Sequence, residues 1–276
     1  MTLLLVAHGS ADPRAAAATR ALARAVASVR GAGSVRGAGS VRGAGSVRGA
    51  AAEPVWVSFL DHAEPRPDAA LFELSAAGCR SVTVVPLLLT AAYHNRVDIP
   101  RALDRAAADG LDLRVELSDV LGPVGGRVPG ALLGGLRRRL AEAGRSFDAE
   151  AGRDFDAVVL AAAGTRDAAA LSTVEQSARA LGASLRLPCR VAYASASGPT
   201  TGEAVAALRA EGARRVAMAA YFLAPGRLYD SAVASARAAG AVAVAAPLGD
   251  APELARLVLH RAAAARVRVA AVPVPA

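Results

Sequence analysis

The chain has 276 residues, of which 54% are hydrophobic and only 4% aromatic, and its formal net charge is +8. Alanine accounts for the high hydrophobic share, and no run approaches the about 18 consecutive apolar residues of a membrane-spanning helix, which excludes an integral membrane protein. The first apolar run, 3–7, stops at His8 and is too short for a secretory signal, so we expect a cytoplasmic protein.

The cysteines and the charge set further limits. Cys79 and Cys189 stand far apart in a chain without signs of secretion, so we expect neither a disulfide framework nor a cysteine-based zinc site. All 32 basic residues are arginine, whose fork of donors favours acidic partners. Nucleic acid, a polycarboxylate ligand or no acidic ligand at all would each be compatible with the charge, which cannot choose among them.

A Gly-rich hexapeptide, Ser-Val-Arg-Gly-Ala-Gly, is repeated over residues 28–51. Two glycines in every six residues oppose helix and strand interiors, which predicts a flexible surface insertion. An Arg-Gly arm that binds nucleic acid is the alternative interpretation. The glycine spacing differs from the dinucleotide-binding fingerprint and follows a helical pattern rather than a strand, so we expect no Rossmann cofactor site.

Outside this insertion, β-branched or leucine-rich runs alternate with alanine-rich stretches, a pattern typical of βαβ units and a parallel sheet. In the first half the pattern predicts strands at 3–7, 55–60, 82–87 and 113–117 and helices at 13–27, 67–77, 99–108 and 128–143. In the second half it predicts strands at 157–161, 190–194, 216–222 and 241–245 and helices at 168–181, 200–210, 228–239 and 252–264.

The two halves also resemble each other in their residues, which indicates an internal duplication. Residues 3–12 match 158–167, and residues 77–82 match 211–216. We therefore predict an α/β fold of two similar domains, each a small parallel sheet flanked by helices. The predicted limits are 1–143 for the first domain, with the insertion at 28–51, then a polar linker at 144–154 and a second domain at 155–276.

Open parallel sheets bind ligands at the carboxyl ends of their strands, and three of the four histidines fall there in the first domain. His8 follows the first strand, His62 stands beside Asp61 after the second, and His94 lies in the loop after the third. The second half has Ala163 in place of His8, lacks an acidic counterpart of Asp61 and shortens the loop of His94. We therefore predict a single site, in the first domain, and a degenerate second domain.

Four motifs occur in order, each at or near a predicted strand. They are Val-Ala-His-Gly-Ser at 6–10, Phe-Leu-Asp-His-Ala-Glu-Pro at 59–65, Val-Pro-Leu-Leu-Leu-Thr at 85–90 and His-Asn-Arg-Val-Asp-Ile-Pro at 94–100. Together they resemble the sirohydrochlorin chelatases, class II tetrapyrrole chelatases that make sirohaem or feed cobalamin synthesis. The resemblance covers most of residues 1–143 outside the insertion, and the second half resembles the degenerate repeat of the two-domain members.

The resemblance implies a lyase-type chelatase that inserts Fe²⁺, or Co²⁺, into sirohydrochlorin, with no permanently bound cofactor. It implies that His8 and His94 hold or pass the metal and accept pyrrole protons, a role that suits imidazole at neutral pH. Asp61 stands where the family often has glutamate, and it is expected to orient a histidine or to accept the second proton. Iron is favoured only because sirohaem is needed more widely, since these residue types accept both ions.

The family's substrate is a polycarboxylate, which gives the basic charge a candidate purpose. Ser10, at a predicted helix start, and the arginines Arg14 and Arg96 are expected to bind its carboxylates. Further arginines in or just after these loops can pair with the same carboxylates, namely Arg66, Arg101 and Arg127. His260, late in the last predicted helix, is expected to have no part in the site. We expect a monomer with pseudo-dimeric halves and neither a nucleic-acid nor a membrane partner.

Some of these residues are also compatible with other classes of function. A non-catalytic protein that binds a tetrapyrrole or a metal on the same fold is the main alternative. A hydrolase is disfavoured because the chain has no G-x-S-x-G elbow, and a phosphate-binding P-loop is excluded because the chain has no lysine.

Overall fold

The computed structural model describes residues 2–31, 54–90, 97–144, 155–196 and 198–270. The first repeat contains β1 (Thr2–Ala7), α1 (Pro13–Val29), β2 (Val55–Phe59), α2 (Pro67–Ala76), β3 (Ser81–Leu87), α3 (Ile99–Ala108), β4 (Arg114–Leu117) and α4 (Gly130–Gly144). The second contains β5 (Ala157–Ala162), α5 (Ala168–Leu185), β6 (Cys189–Tyr193), α6 (Thr201–Ala210), β7 (Val216–Tyr221), α7 (Arg227–Ala238), β8 (Ala243–Val244) and α8 (Pro252–Ala270).

Each repeat forms one four-stranded parallel sheet, and the two sheets have the same strand order. The first runs β2-β1-β3-β4 and the second β6-β5-β7-β8. The central strands β1 and β5 are buried along their whole length, which fits sheets covered by helices on both faces. The predicted α/β fold of two similar parallel sheets is therefore confirmed.

The predicted helices and strands are all present, and the largest differences are at helix ends. Helix α5 continues past its predicted end at 181 and passes through Gly182. Glycine allows close packing there, because a Cβ atom would lie 2.9 Å from that of Cys189. The helix ends at Arg186, whose backbone is left-handed with φ 55°. Helix α8 extends six residues beyond its predicted end at 264. Among the helices in the described ranges, none is long and apolar enough to span a bilayer.

Two compact units divide the chain, and their limits are not those of the two repeats. One unit comprises Met1–Leu121 and Ala255–Ala276, and the other comprises Gly122–Leu254. The final helix of each repeat therefore belongs, wholly for α4 and mostly for α8, to the unit that holds the other repeat's sheet. The domain limits 1–143 and 155–276 stay predictions, and the compact units differ from them in the placement of these final helices.

Charged side chains attach the exchanged helix of each unit. In the first unit, Arg268 of α8 donates to Asp119 at 2.6 Å, just beyond β4. In the second unit, Arg138 of α4 donates two hydrogen bonds to the carboxylate of Glu253, at 2.8 and 2.7 Å. A two-bond arginine–carboxylate pair fixes orientation as well as position, so it sets how α4 is placed in its unit.

Part of the predicted organisation lies outside the described residues. Helix α1 extends to Val29, two residues into the hexapeptide region, and residues 32–51 of that region are not among those described. The same holds for 145–154 of the predicted linker, so the flexible insertion and the linker both stay predictions.

The core under the first sheet supplies a test of this packing. Leu71 in α2 is completely buried, whereas its neighbour Phe72 is 38% exposed. We expect Leu71→Ala to lower the free energy of unfolding by about 2–5 kcal/mol and Phe72→Ala to lower it by less than about 1 kcal/mol. Urea denaturation of the two variants measures the difference, and equal losses would contradict the assigned faces of α2.

Candidate functional site

The first three strands in chain order bring their following loops to one edge of the first sheet. Ala7, the last residue of β1, pairs with Phe59 of β2 and with Leu87 of β3. His8 and Asp61 therefore begin neighbouring loops, as the sequence predicts. The loop after β3 starts at the same edge, but His94 and Arg96 lie outside the described residues, and their place in the site stays a prediction.

The loops after β1 and β2 touch through their backbones. The carbonyl of Ala7 accepts from the N–H of Leu60 at 2.9 Å, and the carbonyl of His8 accepts from the N–H of Asp61 at 2.8 Å. The next residue along the first loop is Gly9, which has φ +91°. A Cβ atom at this position would lie 1.7 Å from the carbonyl oxygen of Asp61. Only glycine fits this position, because both the backbone angle and the space exclude a side chain.

The half-exposed carboxylate of Asp61 has hydrogen-bond donors and positive charges close to it. It accepts from the backbone N–H of His62 at 3.0 Å, and the Nε2 atom of His62 lies 3.5 Å from its other oxygen. The guanidinium of Arg66 lies 3.5 Å away. The backbone hydrogen bond from His62, then the charges of His62, Arg66 and His8, lower the pKa of Asp61. Asp61 is therefore a carboxylate at neutral pH, able to accept a hydrogen bond.

His8 and His62 both face solvent. His8 follows the fully buried strand β1 and is itself exposed, and the His62 side chain is 52% exposed. His62 has a left-handed backbone, with φ 60°, which turns its ring back to Asp61. One carboxylate thus lies beside His62 and within the electrostatic influence of His8.

Ser10 and Arg14 lie at the start of α1, where the structure engages both of them. The Ser10 hydroxyl accepts from the N–H of Asp12 at 3.1 Å. Asp12 caps the helix by accepting from the N–H of Arg14 at 2.9 Å, and the guanidinium of Arg14 donates to the same carboxylate. The Arg14 side chain remains about half exposed in this pair. Binding of a substrate carboxylate by Ser10 and Arg14 stays a prediction.

The second repeat reproduces the backbone frame of this site. Gly164 has φ +93°, and a Cβ atom there would lie 1.8 Å from the carbonyl oxygen of Ser195, as at Gly9 and Asp61. Thr165 accepts from the N–H of the helix cap Asp167 at 3.1 Å, as Ser10 does from Asp12. Each second-strand loop also ends in a cis peptide bond, Glu64–Pro65 and Gly198–Pro199. The two repeats therefore share one local backbone design.

The polar groups on that frame differ between the repeats. Ala163 stands in place of His8 and Ser195 in place of Asp61, and the Ser195 hydroxyl donates to the carbonyl of Ala163 at 2.8 Å. Ala196, with φ 65°, has the left-handed backbone of His62 but no imidazole. The left-handed turn therefore does not require histidine. The backbone shared by the two repeats therefore forms without the side chains of His8, Asp61 and His62.

Comparison with known proteins decides the family. The CbiX family matches residues 2–125 and again residues 157–265, one match in each repeat. The chain belongs to the CbiX family. The two matches confirm the resemblance that the four motifs indicate, in its two-domain form, while no curated protein matches the chain.

Solved structures share the fold of this CbiX-family chain. SirB from Bacillus subtilis with Fe³⁺ has a TM-score of 0.72 at 20% identity, covering 98% of this chain and 96% of SirB. The sirohydrochlorin chelatase SirB from Bacillus subtilis subspecies spizizenii with cobalt has a TM-score of 0.71 at 19% identity, covering 98% and 97%. A multi-domain protein from Deinococcus radiodurans with structural similarity to chelatases has a TM-score of 0.62 at 21% identity, covering 95% and 54%.

The described part of the family fold contains no closed metal cage. Among the described residues, no group of three or more histidine, cysteine, aspartate and glutamate side chains could hold a metal ion. Neither cysteine is in a disulfide, and burial raises the pKa of Cys189 to about 12, which makes its thiol a poor ligand at neutral pH.

Arg66 is a further residue of this edge, which the sequence predicts only as one of several arginines able to pair with substrate carboxylates. Its guanidinium donates to the carbonyl of Leu60 and lies beside Asp61. A sequence signal did exist, because arginine at the residue before Pro67, the first residue of α2, is an unusual helix cap.

Three glycine variants test the backbone contact that builds the loop edge. Gly9→Ala and Gly164→Ala each introduce a Cβ atom inside 2 Å of a carbonyl oxygen, whereas Gly110, with φ +85°, has open space around it. We expect Gly110→Ala to cost about 1–2 kcal/mol of unfolding free energy for the left-handed backbone alone, and the other two variants to cost more. Urea denaturation measures all three, and a Gly9→Ala cost no larger than that of Gly110→Ala would contradict the close contact.

Proposed function

We propose that this CbiX-family protein is a sirohydrochlorin chelatase, which inserts a divalent metal ion, Fe²⁺ or Co²⁺, into sirohydrochlorin. The observation that carries the proposal is the placement of His8 and Asp61 on a frame whose second copy has neither group. The family membership of both repeats supports it. Two structures with the same fold add support, since one contains Fe³⁺ and the other is a sirohydrochlorin chelatase in complex with cobalt.

The reaction exchanges two pyrrole N–H protons for one divalent ion, so the site must accept two protons while it delivers the metal. In the proposed mechanism His8 and His94 hold the ion through imidazole nitrogens, which suit Fe²⁺ and Co²⁺. An imidazole that releases the ion to the ring can then take up a pyrrole proton. Asp61 is ionised and next to the His8 loop, so it orients the imidazole or accepts the second proton.

The substrate carboxylates require positive charge or N–H donors at the same edge. In the proposal, Ser10 and Arg14 at the start of α1 and Arg96 in the loop after β3 bind them. The Arg14 side chain supports this, because it remains about half exposed while it pairs with Asp12. The metal is then a substrate rather than a resident cofactor. We also propose a cytoplasmic monomer whose two repeats act as a pseudo-dimer.

An insertion assay tests the proposal. The purified protein is mixed anaerobically with sirohydrochlorin and Fe²⁺ or Co²⁺, and the absorbance change of the macrocycle is followed. We expect the wild type to exceed the spontaneous rate with at least one of the two ions. His8→Ala is expected to lower the rate about 100-fold or more, the usual scale of a lost acid–base group.

His260→Ala is the matched control, because His260 is exposed on α8 and belongs to neither strand-end loop. It should keep the wild-type rate. Tight binding of sirohydrochlorin without acceleration by either ion would indicate a non-catalytic tetrapyrrole carrier and contradict the proposed activity. Equal losses in His8→Ala and His260→Ala would contradict the placement of the site.

A further inference from the structure

We propose that Arg66 is a positioning residue, which holds the carboxylate of Asp61 in its working orientation at the cost of capping its own helix. This inference rests on the proposed function, in which Asp61 takes part in metal insertion. It adds to the site a residue that touches neither metal nor substrate and acts through Asp61.

Arg66 occupies the N-cap of α2, but its side chain makes no cap hydrogen bond. The guanidinium instead points back along the chain, where one nitrogen donates to the carbonyl of Leu60 and another lies 3.5 Å from a carboxylate oxygen of Asp61. The N–H of Arg66 donates to the side chain of Glu64 at 2.9 Å. The Arg66 side chain thus connects the end of the loop after β2 to its beginning, at Leu60 and Asp61.

The second repeat shows what the same position does when it serves the helix alone. Thr200 follows the cis-proline Pro199 as Arg66 follows Pro65, and it caps α6 with a complete capping box. Its hydroxyl accepts from the N–H of Glu203, whose carboxylate accepts from the N–H of Thr200. The repeat that lacks the carboxylate therefore has the ordinary cap, and the repeat that carries Asp61 has the arginine.

The chemistry of the contact explains the choice of arginine. The planar guanidinium can donate to the Leu60 carbonyl and to the carboxylate at once, whereas a lysine ammonium is a single flexible point charge. His62 also holds Asp61: its backbone N–H donates to the same Oδ1 atom that Arg66 approaches, and its Nε2 atom lies 3.5 Å from Oδ2. Arg66 and His62 together restrict how this half-exposed carboxylate is oriented relative to the His8 loop. Without Arg66 it keeps only the His62 contacts and can rotate away.

The substitution Arg66→Thr introduces the residue that the second repeat has at this position, Thr200. It separates the role of position 66 in orienting Asp61 from its role in capping α2. We expect kcat to fall at least 5-fold with KM for sirohydrochlorin within 2-fold of wild type, while the melting temperature stays equal or rises because α2 gains a cap. Arg66→Lys should recover part of the lost kcat. A rise in KM with unchanged kcat would overturn the proposal by making Arg66 a substrate-carboxylate ligand, and unchanged kcat and KM would also overturn it.

Arg80→Thr is the matched control, since Arg80 is exposed and precedes β3 at the opposite edge of the sheet, and it should leave kcat and KM unchanged. A crystal structure of Arg66→Thr gives a readout that does not need turnover. A displaced or multiply oriented Asp61 carboxylate supports the proposal, and an unmoved one overturns it. An inactive wild type would count against the proposed function alone, and this structural readout would still decide the role of Arg66.

Discussion

The close contact between Gly9 and the carbonyl of Asp61 is the constraint on which the candidate site depends. A Cβ atom at Gly9 would lie 1.7 Å from that oxygen, so the loops after β1 and β2 can meet only if one of them has no side chain there. The contact places the backbone of His8 within hydrogen-bonding distance of Asp61. A histidine from one strand and a carboxylate from its neighbour then share one edge of a parallel sheet, where such folds bind ligands.

The duplication separates the residues that hold this frame from those to which we assign the proposed chemistry. Gly164 repeats the contact of Gly9, so the glycine belongs to the frame. Ala196 repeats the left-handed turn without an imidazole, so the ring of His62 does not. The hydroxyl of Ser195 satisfies a carbonyl of its own edge, where Asp61 instead presents an ionised carboxylate. The side chains that differ between the two repeats are therefore the ones to which the proposal assigns metal and proton transfer.

Much of the fold could be predicted from the sequence, because buried parallel strands form short apolar runs between alanine-rich helices. The exchange of the final helices could not, since an amphipathic pattern shows that α4 and α8 pack but not against which sheet. The end of α5 was missed because Gly182 serves close packing there rather than termination.

In the site, His8 and Asp61 followed from their positions after neighbouring strands. The sequence predicts Arg66 only as one of several arginines that pair with substrate carboxylates, because a long flexible side chain has many possible directions and only the folded loop selects one. The direction of the His62 side chain could not be predicted either, because it depends on a left-handed backbone angle that a histidine in the sequence does not indicate. The assignment of His94 and Arg96 to the site depends on the sequence motif alone, because both lie outside the described residues.

The central claim is that one of two similar frames carries the chemistry, and a crystal structure with bound Co²⁺ tests it most directly. Anomalous scattering at the cobalt edge locates the ion independently of the protein density. The account predicts an anomalous peak with an imidazole nitrogen of His8 at coordination distance, about 2.0–2.2 Å, and none at the loop of Ala163 and Ser195. A peak at the second-repeat loop, or a bound ion without contact to His8, would contradict it.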